Sequence, residues 1–122
     1  MISRLKKLFA PKPAADWLTI DELRTQLTGD APPLILDVRS KEEFGFHGHI
    51  PGAVLLPEGD LPQRAAEIPA GRTVVCVCRT DRRSERAAQW LLSQGYDTVM
   101  VLEGGMMAWK NAGLPLEHHP LK

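Results

Sequence analysis

Four short aliphatic runs divide this chain at near-regular intervals: LILDV at 34–38, AVLLP at 53–57, TVVCVC at 73–78 and TVMVL at 98–102. Each is too short for a buried helix and carries apolar residues at successive positions, as a strand covered on both faces requires. Helical patterns fill the gaps. Thr19 and Glu22 are spaced as a capping box, with Leu18 and Leu23 as its hydrophobic staple, and Ser40 with Glu43 repeats the box. DLPQRAAEI is a modest helix candidate. Residues 84–95 place Ala87, Ala88, Leu91 and Leu92 on one stripe ahead of Gly95, and EGGMMAWKNAGL stops at Gly113 and Pro115. DWLT adds a short edge strand. Strand–helix alternation of this kind predicts right-handed crossovers and a parallel sheet between helix layers, with the working site beyond the carboxyl ends of the strands.

At 122 residues, 43% hydrophobic and 25% charged, the chain predicts one domain whose core needs no disulfides. Fifteen basic residues balance fifteen acidic ones, so nothing global points to nucleic acid. Residues 1–13 hold Arg4, Lys6, Lys7 and Lys12 without an acid, which suggests a basic leader over 1–15 and a domain over 16–118. The leader lacks the apolar core of a signal peptide, and no later run approaches the roughly 18 apolar residues that cross a bilayer. Membrane attachment is not expected; a cytoplasmic monomer is.

The two cysteines, Cys76 and Cys78, would share one face of a strand at about 7 Å, too far apart to bridge. Cys76 lies inside the apolar run and reads as a small buried hydrophobe. Cys78 stands where the strand stops and a basic loop, RTDRRS, begins. A strand that runs through a loop into a helix leaves backbone N–H groups unpaired beside the positive end of the helix dipole, and anions gather there. Only about 3% of an ordinary thiol is ionised at neutral pH, so such a setting is what a cysteine nucleophile needs. Elsewhere, Asp37 and Arg39 read as a structural ion pair, with Glu43 as an additional partner, and His49 as a buried hydrogen-bonding residue. Trp109, Met106 and Met107 suit core or pocket packing. His47, His118 and His119 lack the partners of a zinc site, so no metal is expected.

Three stretches, CRTDRRS, LILDVRSKEEFGFHGHIPGAVLLP and LEGGMMAWKNAGLP, resemble in order the motifs of the rhodanese family, the thiosulfate sulfurtransferases. The resemblance runs from about Trp17 to Pro115. It implies an α/β domain with a five-stranded parallel sheet and helices on both faces. It also implies that Cys78 is the sulfur-accepting nucleophile, cradled by the amides of residues 79–83. Arg79, Arg82 and Arg83 would bind an anionic donor, with Thr80 and Asp81 in the same substrate loop and Ser84 closing it at the helix start.

On this resemblance the chain moves sulfane sulfur from thiosulfate or a persulfide to a thiol or cyanide acceptor through a Cys78 persulfide, without metal or organic cofactor. The alternative is a relay carrier, or a partner-binding module, with little thiosulfate turnover; a sulfur-relay protein would then be its partner. Phosphatases of related fold carry arginine six positions after cysteine, and that position here is Ser84, which disfavours their chemistry. Many loops of the family have glycine where this chain has Asp81. A carboxylate there would repel a dianionic donor if it faced the thiol, or sit harmlessly with Arg82 or Arg86 if it did not.

Overall fold

Odd and even positions of the central strands part to opposite sides, and that alternation builds two cores. Leu34, Leu36, Val74, Cys76, Val99 and Val101 face one way and pack with Leu61, Ala87, Ala88 and Leu91. Ile35, Val75, Val77 and Leu102 face the other way and pack with Leu23, Met106 and Trp109. The computed structural model describes residues 14–118. Nearly all of the expected basic leader, residues 1–13, and His119 lie outside the described residues.

The strands are β1 (Asp16–Leu18), β2 (Leu34–Asp37), β3 (Val54–Leu55), β4 (Val74–Val77) and β5 (Val99–Leu102). They form one sheet in the order β1-β5-β4-β2-β3 with every pair parallel. The helices are α1 (Ile20–Leu27), α2 (Lys41–Phe46), α3 (Leu61–Arg64), α4 (Arg82–Ser93) and α5 (Gly105–Asn111). α3 and α4 cover the first core; α1 and α5 cover the second. The fold is therefore the single α/β domain that the sequence predicts, DWLT included as the edge strand β1.

Both capping boxes form. Thr19 Oγ1 accepts from the Glu22 amide while Glu22 Oε1 takes the Thr19 amide at 2.9 Å, and Ser40 and Glu43 repeat the exchange. The DLPQRAAEI segment departs from a continuous helix: α3 is a single turn with 3-10 turns at Glu58–Asp60 and Ala65–Glu67 on either side. Pro62 stands in its first turn, and the Ala65 carbonyl accepts the Ile68 amide at 2.9 Å, closing a 3-10 turn, as well as the Tyr96 hydroxyl at 2.8 Å; Pro69 has no N–H to carry the helix on. No helix of the described residues is long and apolar enough to cross a membrane.

The chain leaves β2 toward β3 and leaves β4 toward β5, on the other side of the sheet. The carboxyl ends of β2 and β4 therefore flank the point where the winding reverses, the place at which parallel sheets leave a crevice. Cys78 is the first residue beyond β4.

Candidate functional site

Cys78 is 1% exposed, while Arg79, Thr80 and Arg82 in the loop after it are exposed. Its Sγ lies 3.2 Å from Ser84 Oγ. That hydroxyl also lies 3.1 Å from the Asp81 carbonyl, to which it donates. α4 begins at Arg82, two residues earlier than the sequence pattern suggests, so Ser84 sits inside the first turn rather than at its cap.

The carbonyls of Cys78, Arg79 and Thr80 face α5. Met106 donates its amide to the Cys78 carbonyl at 2.9 Å, and Met107 donates to the Arg79 carbonyl at 3.0 Å. Gly105, at φ +53, lies so close that a side chain there would meet the carbonyl oxygens of Cys78, Arg79 and Thr80. In a planar trans peptide the N–H points opposite to the preceding C=O. With the carbonyls of residues 78–80 aimed at α5, the amides of Arg79, Thr80 and Asp81 must face the other way, across the loop. None of the amides of residues 79–83 is used by a protein acceptor among the described residues. Unspent N–H groups at the start of a helix attract anions, and Ser84 in the first turn of α4 brings that end within 3.2 Å of the thiol.

Asp81 has neither of the two settings weighed from the sequence. Its Oδ1 accepts the Gly104 amide at 2.8 Å, which ties the loop to the β5–α5 turn. Arg86 pairs instead with Glu58, at 3.1 Å. The carboxylate is thus a brace. Asp81→Ala is expected to lower stability by about 1.5 kcal/mol, the scale of a charge-assisted hydrogen bond, and to slow turnover by loosening the loop. Asp81→Asn keeps an Oδ1 acceptor and should stay much nearer wild type. Thermal unfolding and initial rates of the two variants check this, and equal behaviour of Ala and Asn would contradict it.

Arg83 forms a two-pronged pair with Glu43 of α2, at 2.6 and 2.9 Å, bridging 40 residues of sequence. Glu43, expected beside Asp37 and Arg39, pairs with Arg83 instead. Arg39 is 2% exposed, bonds both oxygens of Asp37 and donates to the Gly48 carbonyl, leaving Glu43 to Arg83. The Arg83 guanidinium is the main reason the Glu43 carboxyl is held down at about 2. The pair therefore stabilises the fold fully above the ordinary carboxyl range near 4.5 and loses that contribution as pH falls through about 2. The stability gap between wild type and Glu43→Gln should shrink from pH 5 to pH 2, as read by denaturant titration; a constant gap would contradict the pairing.

Cys76 is fully buried, and burial pushes its thiol up to about 12. Buried on all sides, it packs as a core residue. His49 is likewise structural: its Nδ1 lies 2.8 Å from the Phe44 carbonyl and its ring stacks on Phe44 at 3.5 Å. Sequence reasoning missed the two glycines at 104 and 105 as loop-setting residues. A Gly-Gly pair directly after a strand is a signal for close backbone approach.

A family model described as a rhodanese-like domain matches residues 19–112. A sulfurtransferase of Allochromatium vinosum is 40% identical over 96 residues, which are 79% of this chain and 89% of that one. The thiosulfate sulfurtransferase GlpE of Shewanella oneidensis is 36% identical over 95 residues, covering 78% of this chain and 92% of its own. Among solved structures, a rhodanese-like domain protein from Staphylococcus aureus superposes with a TM-score of 0.77 at 32% identity, over 86% of this chain and 99% of that one.

Proposed function

Because this chain belongs to the rhodanese-like domain family, we propose that it is a sulfurtransferase whose Cys78 carries the sulfur as a persulfide. The observation that carries the reading is the thiol at the end of β4, followed by a loop whose Cys78 and Arg79 carbonyls are bonded to α5 while the amides of residues 79–83 have no protein acceptor among the described residues. In the first half-reaction the Cys78 thiolate attacks the outer sulfur of the donor. With thiosulfate, the S–S bond breaks and sulfite leaves with its electron pair. In the second, an acceptor thiolate or cyanide attacks the outer sulfur of the persulfide, and the Cys78 thiolate is released. Covalent storage divides one transfer into two displacements, and oriented amides stabilise the terminal negative sulfur.

Ser84 can hydrogen-bond the sulfur as acceptor or as donor. Its single proton goes to the Asp81 carbonyl when the hydroxyl accepts from a neutral thiol, and it can turn to Sγ when the sulfur is anionic. Arg79 and Arg82, exposed and in no ion pair among the described residues, are the cations left to meet an anionic donor. Both cysteines are free, which suits a reducing compartment such as the cytoplasm.

A relay carrier with slow thiosulfate turnover is the second reading. It is favoured by Arg83, whose commitment to Glu43 withdraws one of three loop cations from a dianionic donor. Initial rates with thiosulfate and cyanide varied together test the first reading. Parallel double-reciprocal lines are expected for a stored sulfur, and intersecting lines would contradict it. A rate with a small persulfide donor far above that with thiosulfate would favour the carrier.

A further inference from the structure

The charges of the cysteine loop and its partners nearly cancel. Arg79, Arg82 and Arg83 follow Cys78 closely in the chain. Against them stand the Asp81 carboxylate, bonded to the Gly104 amide, and the Glu43 carboxylate, brought in from α2 by its two bonds to Arg83. Glu58 and Arg86 pair with each other at 3.1 Å. The loop and these partners are left with one net positive charge. Among the three guanidiniums, Arg83 is the one whose place matters most. It precedes Ser84, whose Oγ lies 3.2 Å from Cys78 Sγ, and it stands in the first turn of α4, the helix on whose side of the sheet Cys78 packs. Its pKa is raised, first by the hydrogen bonds to Glu43, with burial opposing, and more weakly by the charge of a Cys78 thiolate, so the two groups lie within electrostatic reach. Both side chains of the pair keep contact with solvent, 32% exposed for Arg83 and 25% for Glu43, and Glu43 also lines a hollow beside Arg79. A small anion arriving at the loop therefore competes with Glu43 for Arg83.

Sulfane donors come in two charge classes. Thiosulfate is a dianion, whereas a thiosulfonate or an alkyl persulfide carries a single charge. Arg79 and Arg82, in no ion pair among the described residues, can meet one charge, while a second calls for the guanidinium that Glu43 already holds. We propose that Glu43 sets donor specificity by occupying Arg83, so that the cysteine site favours monoanionic sulfane donors over thiosulfate. Glu43 is a positioning residue in this role: it acts through Arg83 and touches no reacting atom. The inference rests on the sulfurtransferase reading. A monoanionic donor reacts by the same displacement as thiosulfate. The Cys78 thiolate attacks its outer sulfur, the bond joining that sulfur to the rest of the donor breaks, and a sulfinate or a thiolate leaves with the electron pair. No oxidant or reductant is consumed.

The test compares anions of similar shape and different charge. Sulfate and methanesulfonate, neither with a sulfur to transfer, are each titrated into the full chain at constant ionic strength while the backbone amide resonances of Thr80 and Arg82 are followed. Glu43→Gln keeps a residue able to complete the Ser40 capping box, so the variant should fold. Its ratio of sulfate to methanesulfonate affinity should rise about twofold to fivefold over wild type, the range of a partly exposed charge contact. In Glu43→Gln/Arg83→Gln the ratio should return to the wild-type value. Glu58 Oε2 is buried with no hydrogen-bond partner among the described residues, so the ratio is also read in Glu43→Gln/Glu58→Gln, where Arg83 has no second carboxylate to turn to. Initial rates with thiosulfate and methanethiosulfonate should follow the same order, the gain lying in KM for thiosulfate with kcat unchanged. A ratio unmoved in both Glu43→Gln and Glu43→Gln/Glu58→Gln, or a rise that persists without Arg83, overturns the role of Glu43. If the affinities shift as expected while Cys78 takes sulfur from neither donor, the anion selection stands and the sulfurtransferase reading alone fails.

Discussion

Gly105→Ala is expected to lower the melting temperature on the order of 15 °C and to remove most sulfur transfer. A Cβ at this position would be driven into the carbonyl oxygens of Cys78 and Thr80 and would lie 2.9 Å from that of Arg79, all backbone atoms that no rotamer change can move. The residue also sits at φ +53, where an L side chain is strained. Overpacking and left-handed strain together cost about 4 kcal/mol, and each kcal/mol shifts the midpoint of a domain this size by about 4 °C. The chain can relieve the overlap only by moving the loop away from α5. That would break the Met106 and Met107 hydrogen bonds and let the amides around the thiol turn. Gly113→Ala is the control: φ is +70, but nothing lies within 4 Å of the added carbon. It should cost only about 1 kcal/mol and leave activity intact. If Gly105→Ala behaves like Gly113→Ala, the close approach does not shape the site.

Cys78→Ser should lower sulfur transfer by at least about 10³-fold, because a hydroxyl is scarcely ionised near neutral pH and cannot form a persulfide. The fold should survive, since a serine Oγ can still share a hydrogen bond with Ser84. Cys76→Ser should behave in the opposite way. It places a hydroxyl in a fully buried strand position, at a cost of about 1–3 kcal/mol, and leaves the chemistry largely in place. Rates and unfolding midpoints of both variants, measured together, separate the two thiols. A Cys76 variant that loses transfer while remaining folded would contradict the assignment.

What could be read from the chain in advance follows the range over which each interaction acts. The capping boxes at Thr19–Glu22 and Ser40–Glu43 are three-residue patterns and formed as written, and the strand runs needed only their own composition. The AVLLP run was shortened to Val54–Leu55 because it is the outermost strand, with only Leu36 and Asp37 of β2 as register partners, and Pro57 follows closely. Cys78 was legible because a thiol at a strand end before a basic loop is a local feature. The partners that set its surroundings were not. Glu43 reaches Arg83 across 40 residues, and Asp81 reaches Gly104 across 23. No local pattern states which carboxylate a given arginine will choose, and here the capping position of Glu43 placed it within reach of Arg83 while Asp37 engaged Arg39.

Whether Cys78 alone stores the transferred sulfur is tested most directly by intact-protein mass after incubation with thiosulfate or a polysulfide. Wild type and Cys76→Ser should each gain the mass of one sulfur atom and lose it again when cyanide is added. Cys78→Ser should gain nothing. Sulfur uptake by folded Cys78→Ser, or none by wild type with either donor, would contradict the account.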